Sequence, residues 1–148
     1  MTEIRETGFE VDLPGTWERG GSTEPGSLVY LETDGDGIVT VMLLAVRPVY
    51  AIADRKRLLD DYMQHRSKFE KGQTPSLEQS EPISEQLGES VEGAWRGVDV
   101  ASCRQRLHRV LLHKDVLADV CYETSGIDEA SFDELAEAVL GSARVSID

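Results

Sequence analysis

From Ile83 to Tyr122 the chain shows no helical periodicity, and the run ends in a hairpin about Lys114 and Asp115. Apolar and polar residues alternating between short turns make antiparallel strands, so this region commits the chain to a sheet. A two-residue turn pairs residue 113 with 116. It sets His108 opposite Cys121 and Arg106 opposite Glu123, and leaves Leu107, Leu111, Val116, Ala118, Val120 and Tyr122 on the other, apolar face. A three-residue turn would shift that register.

The rest of the chain supplies more strands and two helices. Phe9, Val11 and Leu13 alternate with Glu10 and Asp12, Pro14-Gly15 reads as a turn, and Trp17 is expected to fold back onto the core. Residues 20 to 27 form a polar loop. Residues 28–33 and 38–48 then read as two strands around Asp34-Gly35-Asp36-Gly37, a hairpin signal. Leu58, Leu59, Tyr62, Met63 and Phe69 fall at helical spacing, with Asp54 able to cap that helix and Gly72 able to end it. Residues 72–82 read as a polar connection. A second helix covers 128 to 140: Ser131 and Glu134 form a capping box, and Phe132, Leu135, Ala136, Val139 and Leu140 make its apolar stripe. Gly141 ends it and residues 142–147 return as a short strand. Helices that punctuate antiparallel strands must lie on the sheet, which predicts an α+β fold, an antiparallel β-sheet flanked by helices in a layered α/β/α sandwich, with residues 1–148 as a single domain.

The sequence "GFEVDLPGTW", an alternating strand running into Pro and then Trp, resembles the opening of the Mog1/PsbP-like families, including the bacterial DcrB-type domains. "FDELAEAVLGSARV", a helix that begins on an aromatic and gives way to a last strand, is similar to their end. The resemblance implies a sheet flanked by helices and a non-enzymatic role in binding or assembly. Such families include a nuclear-transport GTPase partner, an extrinsic photosystem subunit, mycobacterial lipoproteins and cytoplasmic chaperones for secreted toxins. The chaperones are the nearest functional analogy, because the N-terminus shows no leader or lipidation signal and the protein is expected to be cytoplasmic. No functional residue carries over position by position.

Charge narrows the partners. Fifteen Lys and Arg against 28 Asp and Glu leave a net −13. Residues 51–72 carry six basic and four acidic groups, and residues 101–114 carry Arg104, Arg106, Arg109 and Lys114 unopposed. The remainder therefore sums to −19. A field of that sign repels phosphate backbones and anionic lipid, which argues against nucleic acid and membrane and for another polypeptide with a basic patch; a homodimer is a separate expectation that charge does not decide. No segment approaches the ~20 apolar residues of a membrane span.

Chemistry is sparse. Two cysteines, Cys103 and Cys121, are expected as free thiols, since the hairpin separates their rows by about 16 Å. His65 reads as a packed or boundary residue on the first helix, and His113 as solvated at the hairpin turn. His108 beside Cys121 invites a nucleophile reading, but no oxyanion loop or orienting carboxylate accompanies it, so a structural pair is expected. "ETDGDG" lacks the third oxygen ligand of a calcium loop, and there is no C-x-x-C, H-x-x-x-H or H-E-x-x-H for zinc. Catalytic residues, metal and cofactor are all expected to be none. The candidate partner-binding surface is the acidic face of the last helix, Asp128, Glu129, Asp133, Glu134 and Glu137. Such a surface calls for a partner basic at its contact, bound less tightly as salt rises. A chaperone groove for apolar helices would bind as well or better in salt. The alternative is a small-molecule-binding domain or weak enzyme with a pocket between sheet and helices. The absence of a convergent polar cluster in the sequence favours the interaction module.

Overall fold

The computed structural model describes residues 1–6, 8–22, 24–46 and 51–145. Its elements in chain order are β1 (Thr2–Glu6), β2 (Phe9–Leu13), β3 (Trp17–Arg19), β4 (Ser27–Glu32), β5 (Ile38–Ala45), α1 (Ile52–Gln73), β6 (Leu77–Gln79), β7 (Ile83–Leu87), β8 (Ser90–Asp99), β9 (Arg104–His113), β10 (Val116–Ser125), α2 (Glu129–Leu140) and β11 (Arg144–Val145). An eight-stranded antiparallel sheet runs β3-β4-β5-β10-β9-β8-β6, with β7 also pairing β8. A second sheet of three strands has the order β1-β2-β11.

The β9–β10 hairpin closes as the two-residue turn requires, with Val116 opposite His113, Cys121 opposite His108 and Glu123 opposite Arg106. Lys114 takes φ 52°, a left-handed value that a lysine adopts only because the turn needs it. The two faces of β10 go to different layers. Ala118, Val120 and Tyr122 join Val39, Val41 and Leu111 against α2 and the small sheet, where Phe9, Val11, Leu13, Phe132, Ala136, Val139 and Leu140 complete one core. On the opposite face Val91, Trp95, Val110, Leu112 and Leu117 meet Leu59 and Met63 of α1 in a second core. The layers are thus α1, the large sheet, and α2 with the small sheet, an α/β/α sandwich of the expected class.

The opening motif builds one corner of the first core. Pro14 and Gly15, the latter at φ 85°, turn the chain so that the Trp17 indole N–H donates to Pro14 O at 2.8 Å. Trp17 is buried edge-on to Tyr122, which stacks on Phe132 with ring centroids 5.6 Å apart.

Several local expectations are corrected. β1 and β3 were not expected, and β6 lies inside the stretch read as a polar connection. The cap of α2 is Asp128, whose carboxylate accepts from Ser131 N at 2.7 Å. Ser131 therefore contributes a backbone N–H within the first turn and does not form the expected capping box. The α2 stripe is Phe132, Ala136, Val139 and Leu140, which leaves Leu135 exposed on the solvent side. α1 starts two residues before Asp54 on an uncapped Ala51, and Asp54 pairs with Arg57 at 3.5 Å. Gly72 lies inside its last turn. Its buried stripe is Arg55, Leu59, Met63, Ser67 and Glu70, so Phe69 is half exposed. Residues 47 and 48 of the strand read over 38–48, and residues 146 and 147 of the last one, lie outside the described residues.

Gly93 and Gly97 sit on β8 beneath this helix and strand β6. A Cβ at Gly93 would overlap Met63 Sδ, and one at Gly97 would come within 2.9 Å of Leu77 Cδ1. The missing side chains let α1 and β6 close on the sheet. No described helix is long and apolar enough to cross a membrane.

Candidate functional site

α1 packs mainly on β6, β7, β8 and β9, and at its edge reaches β10 and β5 through Leu59, Met63 and Tyr62. The step between helix and open sheet is a groove of about 450 Å³. Its sheet wall carries Val29, Thr40 and Met42, its helix wall Arg66, Phe69 and Glu70, and its floor Arg106, His108, Asp119, Cys121 and Glu123. The floor residues follow from the hairpin register. With Tyr122 and Leu107 committed to the α2 side, period-two alternation turns these polar residues toward α1.

His108 is the centre of the cluster and is buried. Its Nδ1 lies 2.8 Å from Asp119 Oδ1 and its Nε2 2.7 Å from Glu70 Oε1. The second approach is an ion pair out of hydrogen-bond alignment. The ring stacks on Trp95, with centroids 3.8 Å apart and planes 6° from parallel. Burial opposes a charged imidazole, but Cys121 and the Asp119 carboxylate beside it raise the group well above its ordinary value. Asp119 and Glu70 respond in the opposite sense: burial pushes each carboxyl up, and His108 pulls both below the usual carboxylate range. The three groups are therefore an imidazolium between two carboxylates, stacked on an indole in a cation–π arrangement.

Outer partners complete the network. The Tyr62 hydroxyl donates to Asp119 Oδ2 at 2.5 Å, and burial next to that carboxylate pushes the phenol far up. Arg106 bridges Glu70 at 3.2 Å and Glu123 at 3.6 Å, while Arg66 reaches Glu24 at 3.0 Å and Glu70 at 3.7 Å. Arg66 also lies over the Phe69 ring, 5.2 Å from its centroid. Each floor charge has an opposite charge against it.

This arrangement corrects the expectation that no convergent polar cluster exists. The sequence pairing of His108 with Cys121 and of Arg106 with Glu123 holds, but the decisive partners Glu70, Tyr62 and Arg66 come from the helix. His113 is buried, its Nδ1 3.2 Å from Ser90 Oγ, and is not solvated. His65 is exposed, its Nδ1 2.8 Å from Asp61 O, and is not packed. Both cysteines are free: Cys103 is exposed and Cys121 lies in the groove floor, where burial pushes its thiol up. Asp36 of the "ETDGDG" turn is occupied within the fold, accepting from the hydroxyls of Thr124 and Ser125 and facing Arg104. Among the described residues no group of three His, Cys, Asp or Glu is placed to hold a metal ion.

The acidic face of α2 is partly engaged. Asp128 is the cap, and Glu129 and Asp133 both pair with Arg96, the former at 2.7 Å. Glu134 and Glu137 are exposed, and neither forms an ion pair among the described residues.

No family model and no curated protein matches the sequence. Solved structures do. The cyanobacterial PsbP protein CyanoP of Synechocystis superposes with a TM-score of 0.73 over 98% of this chain and 92% of its own, at 15% identity. The Ran-binding protein Mog1p of Saccharomyces cerevisiae gives 0.57 over 98% and 96%, at 12% identity. The chain has the Mog1/PsbP-like fold. LpqN of Mycobacterium tuberculosis, a protein involved in cell envelope biogenesis, is a further match at TM-score 0.52 and 10% identity, covering 99% of this chain and 90% of that one. At such identities the shared property is the Mog1/PsbP-like arrangement of sheet and helices.

Proposed function

We propose that this chain is a non-enzymatic polypeptide-binding module, acting in the cytoplasm, whose contact surface is the groove beside α1. The observation that carries the reading is the mutual neutralisation of the groove floor beneath an exposed aromatic rim. A partner can cover Glu70, Arg106, His108 and Asp119 without stranding an unpaired charge, because each is already paired. Phe69 stands 49% exposed on the helix wall, a large aromatic of the kind that anchors interfaces. The same pairing speaks against catalysis. Both His108 nitrogens face carboxylates, so no free base is presented, and the raised Cys121 thiol is a poor nucleophile. The Ran-binding activity named for Mog1p makes a protein ligand a natural use of this fold.

The test is substitution in the groove, measured against the polypeptide captured from the native host. Phe69→Ala and Thr40→Arg each leave the cores untouched and are expected to weaken binding at least tenfold, by roughly 1.4 kcal/mol or more. Retention by both variants, with loss on Glu134→Lys and Glu137→Lys, would move the contact to the acidic face of α2. A second reading, a small molecule in the same groove, is favoured by the polar floor. Native mass spectrometry of protein purified from its host separates the two by the mass of what is bound.

A further inference from the structure

The opposite end of the sheet carries a surface that neither the groove nor the fold uses. β7 pairs β8 and no other strand among the described residues, so one row of its backbone N–H and C=O groups faces outward. Ile83 is 73% exposed and Leu87 48% exposed on this edge. Edge strands are commonly protected by lysine, a proline within the strand or a covering segment. β7 has neither lysine nor proline between residues 83 and 87.

Alternation puts Ile83, Glu85 and Leu87 on the α2 side of the sheet, because they stand opposite Ala94, Glu92 and Ser90. There a cleft of about 420 Å³ runs between β7, β8 and α2, with Ala136 and Leu140 on its helix wall and Glu85 and Glu137 at its rim. Ser84 and Gln86 point to the other side, where Ser84 donates to Asp60 at 2.5 Å. Lys56 of α1 reaches the other side of the strand, donating to Ser84 Oγ at 2.8 Å and pairing with Asp60 at 3.4 Å, while the charge on the cleft side is mainly negative. Between Lys71 and Arg96 the chain has Glu78, Glu81, Glu85, Glu89 and Glu92 and no lysine or arginine. Glu92 is neutralised by Arg109 at 2.9 Å, whereas Glu78, Glu81 and Glu85 form no ion pair among the described residues.

We infer that β7 is a docking edge for an extended basic segment of a partner protein, added as a further strand with the side-chain pattern apolar, any, Lys or Arg, any, apolar. The free backbone row demands a strand rather than a helix. The basic residue stands opposite Glu85, and the two apolar residues, each two positions away on the same face, cover Ile83 and Leu87. A second copy of this chain does not fit, because pairing β7 with itself would set one glutamate-rich edge against another.

The probe is the acetylated and amidated peptide Thr-Val-Thr-Lys-Thr-Val-Thr, titrated into isotope-labelled full-length protein and followed by amide chemical shift and exchange. Shifts and new exchange protection are expected at residues 83–87. The peptide with Glu in place of Lys should bind at least tenfold more weakly, and Glu85→Lys, an exposed substitution, should reverse the preference between the two peptides. Equal binding of both peptides, no reversal by Glu85→Lys, or no response at 83–87 with millimolar peptide would overturn the inference. Shifts at Val29, Thr40 and Phe69 instead would also overturn it and would support the groove as the contact surface.

Discussion

Replacing His108 by Leu removes the imidazolium that lies 2.8 Å from Asp119 and 2.7 Å from Glu70, and leaves two buried carboxylates short of a counter-charge. Breaking a buried pair by deleting one partner costs about 3–5 kcal/mol. Glu70 retains Arg106 and Arg66, and Asp119 retains the Tyr62 hydroxyl with Arg66 acting on it from farther away, so the low end of that range, about 3 kcal/mol at pH 7, is expected, roughly 10 °C in Tm for a chain of this size. The pH dependence is more telling than the size. In the wild type both carboxyls sit below their ordinary range, so their contribution is complete above about pH 4 and is lost as pH falls through the folded values. His108, raised well above its ordinary value, contributes fully below about pH 6.5, and that contribution fades only as pH rises through its folded value. In the variant, burial acts on Asp119 without His108 and lifts its folded value above the unfolded one. Its penalty then grows as pH rises from about 4. The gap between wild type and variant should therefore narrow as pH falls from 7 to 5, as the Asp119 penalty is relieved. Urea unfolding at pH 5, 6 and 7 measures it, with His108→Leu combined with Asp119→Asn expected to recover part of the loss at pH 7. A gap that is constant with pH, or below about 1 kcal/mol at pH 7, would refute the buried ion cluster.

Other outcomes follow from single contacts. Asp128→Ala should cost about 1 kcal/mol through loss of the α2 cap, while Ser131→Ala, which keeps the N–H that Asp128 accepts, should stay within about 0.5 kcal/mol in the same unfolding assay. Lys114→Gly should stabilise the hairpin by up to about 1 kcal/mol by relieving the φ of 52°. Alkylation at neutral pH followed by peptide mass mapping should label exposed Cys103 well before Cys121, whose thiol burial pushes up; faster labelling of Cys121 would reopen the nucleophile reading.

The hairpin was legible because period-two alternation and a two-residue turn leave little freedom: once Lys114-Asp115 is the turn, His108 must face Cys121. Helix α1 was legible only in outline. In the sequence Asp54 and Gly72 mark its ends and apolar spacing its face, yet three of its five buried residues are Arg55, Ser67 and Glu70, which a search for apolar residues passes over. A signal did exist. The hairpin face opposite Tyr122 is polar in alternation through Arg106, His108, Asp119, Cys121 and Glu123, and a sheet covered on both sides needs matching charges on the helix above such a face. Leu135 misled for a related reason, because its i+3 spacing from Phe132 fits an apolar stripe, yet the buried face of α2 is the narrower set Phe132, Ala136, Val139 and Leu140. The free edge at β7 was read as continuous β-structure, since nothing in a local pattern tells an outer strand from an inner one.

The groove as a protein-contact surface is tested most directly by placing benzoylphenylalanine at position 69 and irradiating the protein in its native host. The wall position of Phe69 predicts a discrete polypeptide adduct, abolished when Thr40→Arg is added on the facing strand. Adducts formed from position 135 on α2 and none from position 69 would contradict it.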